Sequence, residues 1–242
     1  MNFINYAHRG ASSYAPGNTF AAFYLGCEMN ANGIETDVQQ TKDGVLVLIH
    51  DPRILFQGEK TAISDLTYAQ LLSVDLGAEM PKYSGERIPT FEEFIRHFGS
   101  KPVHMAIELK ATGIARETID LIHRYGCSER IIITSFSRQA LEEAQQADPS
   151  LRLGYLTYEL NDEVLQYVLS KGYFQICPRA CVLTDEWNRR LRDAGLSIRA
   201  WGVENEEIML KMLEQKVDGM TIDFPDVLAR TLLKQIHISE KR

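Results

Sequence analysis

Cysteine is scarce in this sequence: Cys27, Cys127, Cys177 and Cys181 are the four among 242 residues. That density excludes a scaffold built on disulfides. Cys177-Pro-Arg-Ala-Cys181 pairs two thiols, but no second Cys or His pair at zinc spacing accompanies it. Reduced, mostly buried thiols are expected. Basic charge is also in short supply. Lys and Arg total 26 against 33 Asp and Glu, a formal net charge of −7. No basic run marks a nucleic-acid-binding face, and Lys241-Arg242, with Lys234 upstream, reads as a solvated tail. No stretch approaches the roughly 18 apolar residues that cross a bilayer. The chain does not open on a basic segment followed by an apolar core, so no secretory leader is expected. With 16 glycines and 8 prolines it is not a low-complexity or collagen-like chain. These absences predict a cytoplasmic protein that neither inserts stably in membranes nor binds nucleic acid.

What is present is enough apolar material for a core, 45% of the residues, with 24% charged. Short β-rich runs alternate with amphipathic helical stretches. Strands are predicted at 3–8, 33–38, 45–50, 103–109, 130–135, 151–156, 173–177, 197–203 and 219–223. Helix starts are marked by Asn18-Thr19, by Thr90 with Glu93 three residues on, and by Ser137, Asn161, Thr184 and Asn205. Pro225 suits a first helical turn. Lys42-Asp43-Gly44 is a turn signal, so 33–38 and 45–50 read as a hairpin. Eight βα units in this length predict an α/β fold, a (β/α)8 TIM barrel. An open doubly wound sheet is the rival, but the first strand is followed by His8-Arg9-Gly10-Ala11 rather than a glycine-rich phosphate loop. Residues 51–89 break the rhythm. They hold one short helix capped by Thr67 and a stretch rich in Gly, Pro and polar residues. They read as a small helical insertion after the second-strand hairpin of a single domain spanning 1–242.

In such a barrel the carboxyl ends of the strands face the active site. Polar residues fall there in order: His8-Arg9, then Glu35 and Asp37, His50-Asp51, Glu108 and Lys110, Trp201, and Asp223. Glu35 and Asp37 are two apart and share a face, as do Glu108 and Lys110. Three carboxylates converging in one mouth repel unless a cation neutralises them. Oxygen ligands without thiolates suit Mg²⁺, Ca²⁺ or Mn²⁺. His8 and His50 are the proton-transfer candidates, since imidazole titrates near neutrality. Arg9 and Lys110 would hold the remaining oxygens of a phosphate ester. His97, His104, His123 and His237 read as structural or surface residues.

Taken together, His8-Arg9-Gly10, Pro16-Gly17-Asn18-Thr19, Gly33-Ile34-Glu35-Thr36-Asp37-Val38, Thr41-Lys42-Asp43-Gly44, His50-Asp51, Ile107-Glu108-Leu109-Lys110, Ala200-Trp201-Gly202-Val203 and Asp218 through Pro225 resemble the glycerophosphodiester phosphodiesterase family from about residue 6 to residue 228. The resemblance implies a metal-dependent phosphodiesterase that hydrolyses glycerophosphodiesters, small deacylated phospholipids, to glycerol 3-phosphate and an alcohol. It implies a divalent cation on Glu35, Asp37 and Glu108, His8 and His50 as general acid and base, and Arg9, Lys110 and Trp201 against the substrate. Two alternatives follow from the same residues. One is a lysophospholipase D-like lipid phosphodiesterase, using Leu55, Phe56 and their neighbours as an apolar surface. The other is a catalytically weakened ligand-binding member. Support for the latter is Gly17, which stands where the family usually has Glu, leaving Asp51 or Glu28 to compensate. A second departure is Trp201-Gly202-Val203-Glu204-Asn205, where the family's Asn comes earlier.

Overall fold

Period-two apolar runs become strands and period-3.6 runs become the helices that cover them. The computed structural model describes residues 3–239, with side chains as far as residue 235. Lys241, Arg242 and the side chain of His237 lie outside the described residues. The chain starts with β1 (Ile4–His8), α1 (Phe20–Glu28), β2 (Gly33–Gln40) and β3 (Leu46–Leu48). A segment holding β4 (Arg53–Phe56), β5 (Glu59–Ala62) and α2 (Tyr68–Leu71) follows, and then α3 (Phe91–Phe98). The remaining units alternate: β6 (His104–Leu109), α4 (Ala115–Arg124), β7 (Ile131–Ser135), α5 (Arg138–Ala147), β8 (Arg152–Thr157) and α6 (Asp162–Lys171). The series ends with β9 (Gln175–Pro178), α7 (Asp185–Asp193), β10 (Ser197–Ala200), α8 (Glu206–Glu214), β11 (Gly219–Ile222) and α9 (Pro225–Ser239).

The sheet order is β1-β11-β10-β9-β8-β7-β6-β2-β3, and β1 also pairs with β2. Eight strands are therefore parallel and closed into a barrel, with β3 antiparallel on β2. This is the expected TIM barrel. The β2–β3 hairpin turns where the sequence marks it, with Gly44 at φ +82, a conformation that costs glycine little. Thr90 and Glu93 form the expected capping box of α3. Ser137, Asn161, Thr184 and Asn205 each accept a backbone N–H at the start of α5, α6, α7 and α8. Outside the barrel, α1 and α3 lock together through Phe23, Phe94 and Phe98, with ring centroids 4.9 Å (Phe23–Phe94) and 5.1 Å (Phe94–Phe98) apart. Each such buried ring contributes about 1.5–3 kcal/mol.

The insertion contains more strand than its sequence suggests. Besides α2, it carries the antiparallel ribbon β4–β5. Gln57 and Gly58 turn that ribbon with φ of +50 and +86. Ile63, Leu66, Leu71 and Ile88 bury against Val47 and Ile49 in a small core of their own. Asp43 ties the insertion to the hairpin, because its carboxylate accepts Thr41 Oγ1 (2.6 Å) and the Tyr68 backbone N–H (2.9 Å). Leu66 and Leu71 are thus core residues, whereas Leu55 and Leu72 remain exposed.

Candidate active site

Strand register assembles the site. His8 on β1 lies opposite Glu35 on β2, and Asp37 on β2 lies opposite Glu108 on β6. Period-two alternation then turns Glu35, Asp37 and Glu108 into one mouth. One ligand oxygen from each lies within 4.8 Å of the others, and all three residues are buried. Burial, then the charge of Asp37, pushes the Glu108 carboxyl up to about 7 against the pull of Lys110. Burial and Asp37 likewise raise Glu35, opposed by His8, Arg9 and Arg199.

Basic groups offset this charge. Arg9 Nε is 3.3 Å from Asp37 Oδ2, and Lys110 Nζ is 2.9 Å from Glu108 and 3.6 Å from Asp37. Arg9 adopts φ +54 and Gly10 φ +84. A Cβ on Gly10 would meet the Ala22 backbone at 2.3 Å, so α1 packs directly on the His8-Arg9-Gly10 turn and admits only glycine there. Glu35 receives the Arg9 backbone N–H on its side chain at 3.2 Å.

The two histidines sit in different surroundings. His8 Nδ1 is 2.5 Å from Asp223 Oδ1, and its Nε2 faces Glu35 at 3.9 Å. Burial works against the imidazolium, but the Asp223 bond and the Glu35 charge together hold His8 above its ordinary pKa. His50 bonds Asp51 through Nδ1 at 2.7 Å. Burial nevertheless leaves His50 below its ordinary pKa, against the charge of Asp37 and the Asp51 hydrogen bond. The two rings are therefore biased toward opposite protonation states.

A cavity of about 150 Å³ joins His8, Arg9, Glu35, His50, Glu108 and Lys110 to an apolar wall of Phe136, Leu156, Tyr158 and Trp201. Phe136 and Tyr158 stack at 4.7 Å, and both stand nearly perpendicular to Trp201. Trp201 is half-buried, and its indole N–H donates to the Cys177 carbonyl at 3.0 Å. All eight residues expected from the sequence thus line this mouth or stand at its edge.

Several further residues of the site carry no clear sequence signal. Asn18, buried with φ +60, donates to Asp37 at 2.9 Å and accepts from Thr36 Oγ1 at 2.7 Å. Its neighbour Thr19, not Asn18, caps α1. Asp223, which the sequence puts at a strand end without a role, is the partner of His8. Phe136 and Tyr158 follow β7 and β8, positions that point at the mouth in any barrel. Arg199 is fully buried in the barrel interior, bonded to Gln175 and Thr221 at 3.2 and 2.6 Å, and reaches the same cavity.

The two sequence departures have local explanations. A Cβ at Gly17 would lie 3.2 Å from Arg9 Cβ, so a side chain there would abut Arg9. Glu28 does not compensate: it ends α1, which runs back toward the amino-terminal end of the barrel. Asp51 bonds His50 instead of joining the carboxylate cluster. Glu204 pairs with Arg179 at 2.8 Å, and Asn205 caps α8. Cys177 is buried inside the barrel while Cys181 is exposed, and no cysteine is in a disulfide.

Buried carboxylates with hard oxygen donors, one of them (Asp37 Oδ1) lacking a hydrogen-bond partner, fit a divalent cation. Among the described residues no helix is long and apolar enough to cross a membrane.

Comparison with known proteins agrees with this geometry. The sequence pattern of the glycerophosphoryl diester phosphodiesterase family matches residues 8–227. A glycerophosphodiester phosphodiesterase of Caldanaerobacter subterraneus subsp. tengcongensis is 34% identical, covering 97% of this chain and 99% of its own. The crystal structure of a glycerophosphodiester phosphodiesterase from Parabacteroides distasonis superposes with a TM-score of 0.83 at 26% identity, covering 97% of this chain and 100% of that one. An Oleispira antarctica phosphodiesterase solved with sn-glycerol-3-phosphate shares the fold, with a TM-score of 0.83 at 23% identity over 94% of this chain and 95% of its own. With the family pattern running almost end to end over a barrel that brings its motifs into one mouth, the chain belongs to the glycerophosphoryl diester phosphodiesterase family.

Proposed function

We propose that this enzyme hydrolyses small glycerophosphodiesters to glycerol 3-phosphate and an alcohol, with His8 and His50 exchanging the protons. The observation that carries this reading is two histidines of opposite bias flanking a charge-balanced carboxylate and Arg/Lys cluster. Environments that push two titrating groups apart assign acid and base. His50, biased to the neutral form, takes the proton of the substrate's glycerol 2-hydroxyl. That oxygen attacks phosphorus. His8, held as imidazolium by Asp223, gives its proton to the leaving alcohol oxygen as the P–O bond breaks. The cyclic phosphate is then opened by water with the roles reversed: His8 takes the water proton and His50 returns one to the 2-oxygen. Positioning, charge neutralisation and proton transfer suffice for this chemistry.

Arg9 and Lys110 hold phosphoryl oxygens, and Asn18 fixes the orientation of Asp37. Phe136, Tyr158 and Trp201 shape the apolar side of the mouth. A divalent cation, Mg²⁺, Ca²⁺ or Mn²⁺, would be held by Glu35, Asp37 and Glu108 and would supply positive charge to a phosphoryl oxygen. Two relatives that match across the chain are named glycerophosphodiester phosphodiesterase, which favours neither the lysophospholipid nor the binding-only reading.

The test is glycerol 3-phosphate release from glycerophosphocholine, after chelation and after adding back each cation in turn. Product restored by a cation supports the reaction and the carboxylate site together. A folded protein that forms no product with any cation refutes the proposal.

A further inference from the structure

The amino-terminal end of the barrel, opposite the catalytic mouth, encloses a second cavity of about 240 Å³. Tyr6, His104, Arg130 and Arg152 line it. They arrive from four strand beginnings far apart in the chain. Several of their polar groups are without partners. Tyr6 is 1% exposed and its hydroxyl has no hydrogen bond. Arg130 donates from Nη2 to the Gly99 carbonyl, but its buried Nε has no acceptor. Neither the His104 ring nor the Arg152 guanidinium makes a hydrogen bond or ion pair among the described residues; Arg152 only overlies the Phe174 ring at 5.0 Å. Burial, then the charges of Arg130 and Arg152, holds His104 below its ordinary pKa, so the ring feels a positive field.

Two carboxylates also border the cavity, and neither forms an ion pair with the arginines among the described residues. Asp218 is engaged by the Ile198 backbone N–H at 2.8 Å, and Glu129 is an exposed residue at the rim. A buried donor left unsatisfied is expensive, and two of them, the Tyr6 hydroxyl and Arg130 Nε, meet at this cavity beside the exposed Arg152. Tyr6, Arg130 and Arg152 bring donors to the cavity from several sides, an arrangement suited to a ligand that accepts hydrogen bonds and carries negative charge. Gln175 and Arg199, bonded at 3.2 Å, fill the barrel interior between this cavity and the catalytic one, so the two are separate.

We propose that this cavity binds a small oxyanion of the phosphate type, with Tyr6, Arg130 and Arg152 donating to its oxygens. Free phosphate and a phosphate monoester share this chemistry.

The experiment is isothermal titration of the cation-free full-length protein with inorganic phosphate at constant ionic strength, repeated with glycerol 3-phosphate. It is carried out on wild type, Lys110→Ala, Arg152→Ala and Tyr6→Phe. Lys110→Ala removes a phosphate ligand of the catalytic mouth and should leave one saturable phosphate site. Arg152→Ala should weaken that site about tenfold or more, the effect of one lost charge-assisted hydrogen bond. Tyr6→Phe, which keeps the ring, should weaken it about threefold or more. Tighter binding of glycerol 3-phosphate than of phosphate assigns the monoester, and the reverse assigns the free ion. Arg152 is exposed, so its variant tests binding without disturbing the core. Phosphate binding at wild-type strength in both Arg152→Ala and Tyr6→Phe overturns the proposal, as does loss of all saturable binding in Lys110→Ala.

Discussion

Replacing Asp223 by Asn separates the proposed role of His8 from mere packing. The amide has the size of the carboxylate but no charge. In the wild type, Asp223 Oδ1 sits 2.5 Å from His8 Nδ1 and 2.8 Å from Ser12 Oγ. A hydrogen bond to a charged group is worth about 1.5–3 kcal/mol, and each 1.36 kcal/mol is about tenfold in rate. Asp223 is 48% exposed, and solvent screening places the effect at the lower end, so kcat should fall about tenfold. The pH profile should move as well. Burial alone depresses the His8 pKa, and the Asp223 bond is the leading opposing influence. Without that charge His8 loses its proton at lower pH, so the alkaline limb of kcat should move to lower pH. Stability has its own sign. A histidine whose pKa is raised by folding contributes stability that is fully present below its unfolded value, about 6.5, and is lost as pH rises through the folded value. The melting temperature of the variant should therefore fall furthest below wild type in mildly acidic solution, and the gap should narrow both as the solution becomes alkaline and, because the pair, despite burial, holds the Asp223 carboxyl below its usual range, as pH falls through the Asp223 titration. An unchanged kcat with an unmoved alkaline limb would refute the assignment of His8 as the acid.

Other substitutions test separate parts of the site and fold. His50→Ala should lower turnover about a hundredfold or more with little change in cation affinity measured by titration; near-normal turnover removes His50 from the mechanism. Gly17→Glu places a carboxylate against Arg9, whose Cβ is 3.2 Å from the new Cβ. Drawing Arg9 away from Asp37 should tighten cation binding by up to about fivefold, the scale of a part-exposed ion pair, and unchanged affinity would show that Arg9 needs no such support. Thr90→Ala removes the side chain that accepts the Glu93 N–H at 3.0 Å. It should cost about 1 kcal/mol and lower the melting temperature by about 2–4 °C without altering kcat; a change in kcat would mean that α3 reaches the mouth.

The features legible in the sequence are those fixed by local periodicity. Glu35 and Asp37, or Glu108 and Lys110, share a face because strands alternate, and the βα order puts that face at the mouth. The capping residues at Thr90, Ser137, Asn161, Thr184 and Asn205 are equally local, since each needs only a side-chain oxygen within three residues of an N–H. Asn18 was hidden by that same logic, because Thr19 beside it is the cap and Asn18 instead turns with φ +60 toward Asp37. The ribbon β4–β5 did have a signal, the Gln57-Gly58 turn after Ile54-Leu55-Phe56, but β5 reads Glu-Lys-Thr-Ala, mostly residues depleted in strands, and four residues on each side alternate too briefly to stand out. Residues that meet only on closure leave no such trace. Asp223 reaches His8 across 215 positions of chain, and Arg199 becomes an interior charge only when β9, β10 and β11 lie side by side. Arg199 also bears on how the mouth is balanced. Three buried carboxylates face Arg9, Lys110 and, from below, Arg199. The chain therefore offsets its own anionic cluster with positive groups held on different strands. Because Arg9 and Lys110 also reach toward the mouth, the same side chains that stabilise the carboxylates would, in the proposed reaction, be free to turn to an incoming phosphate if a cation took their place.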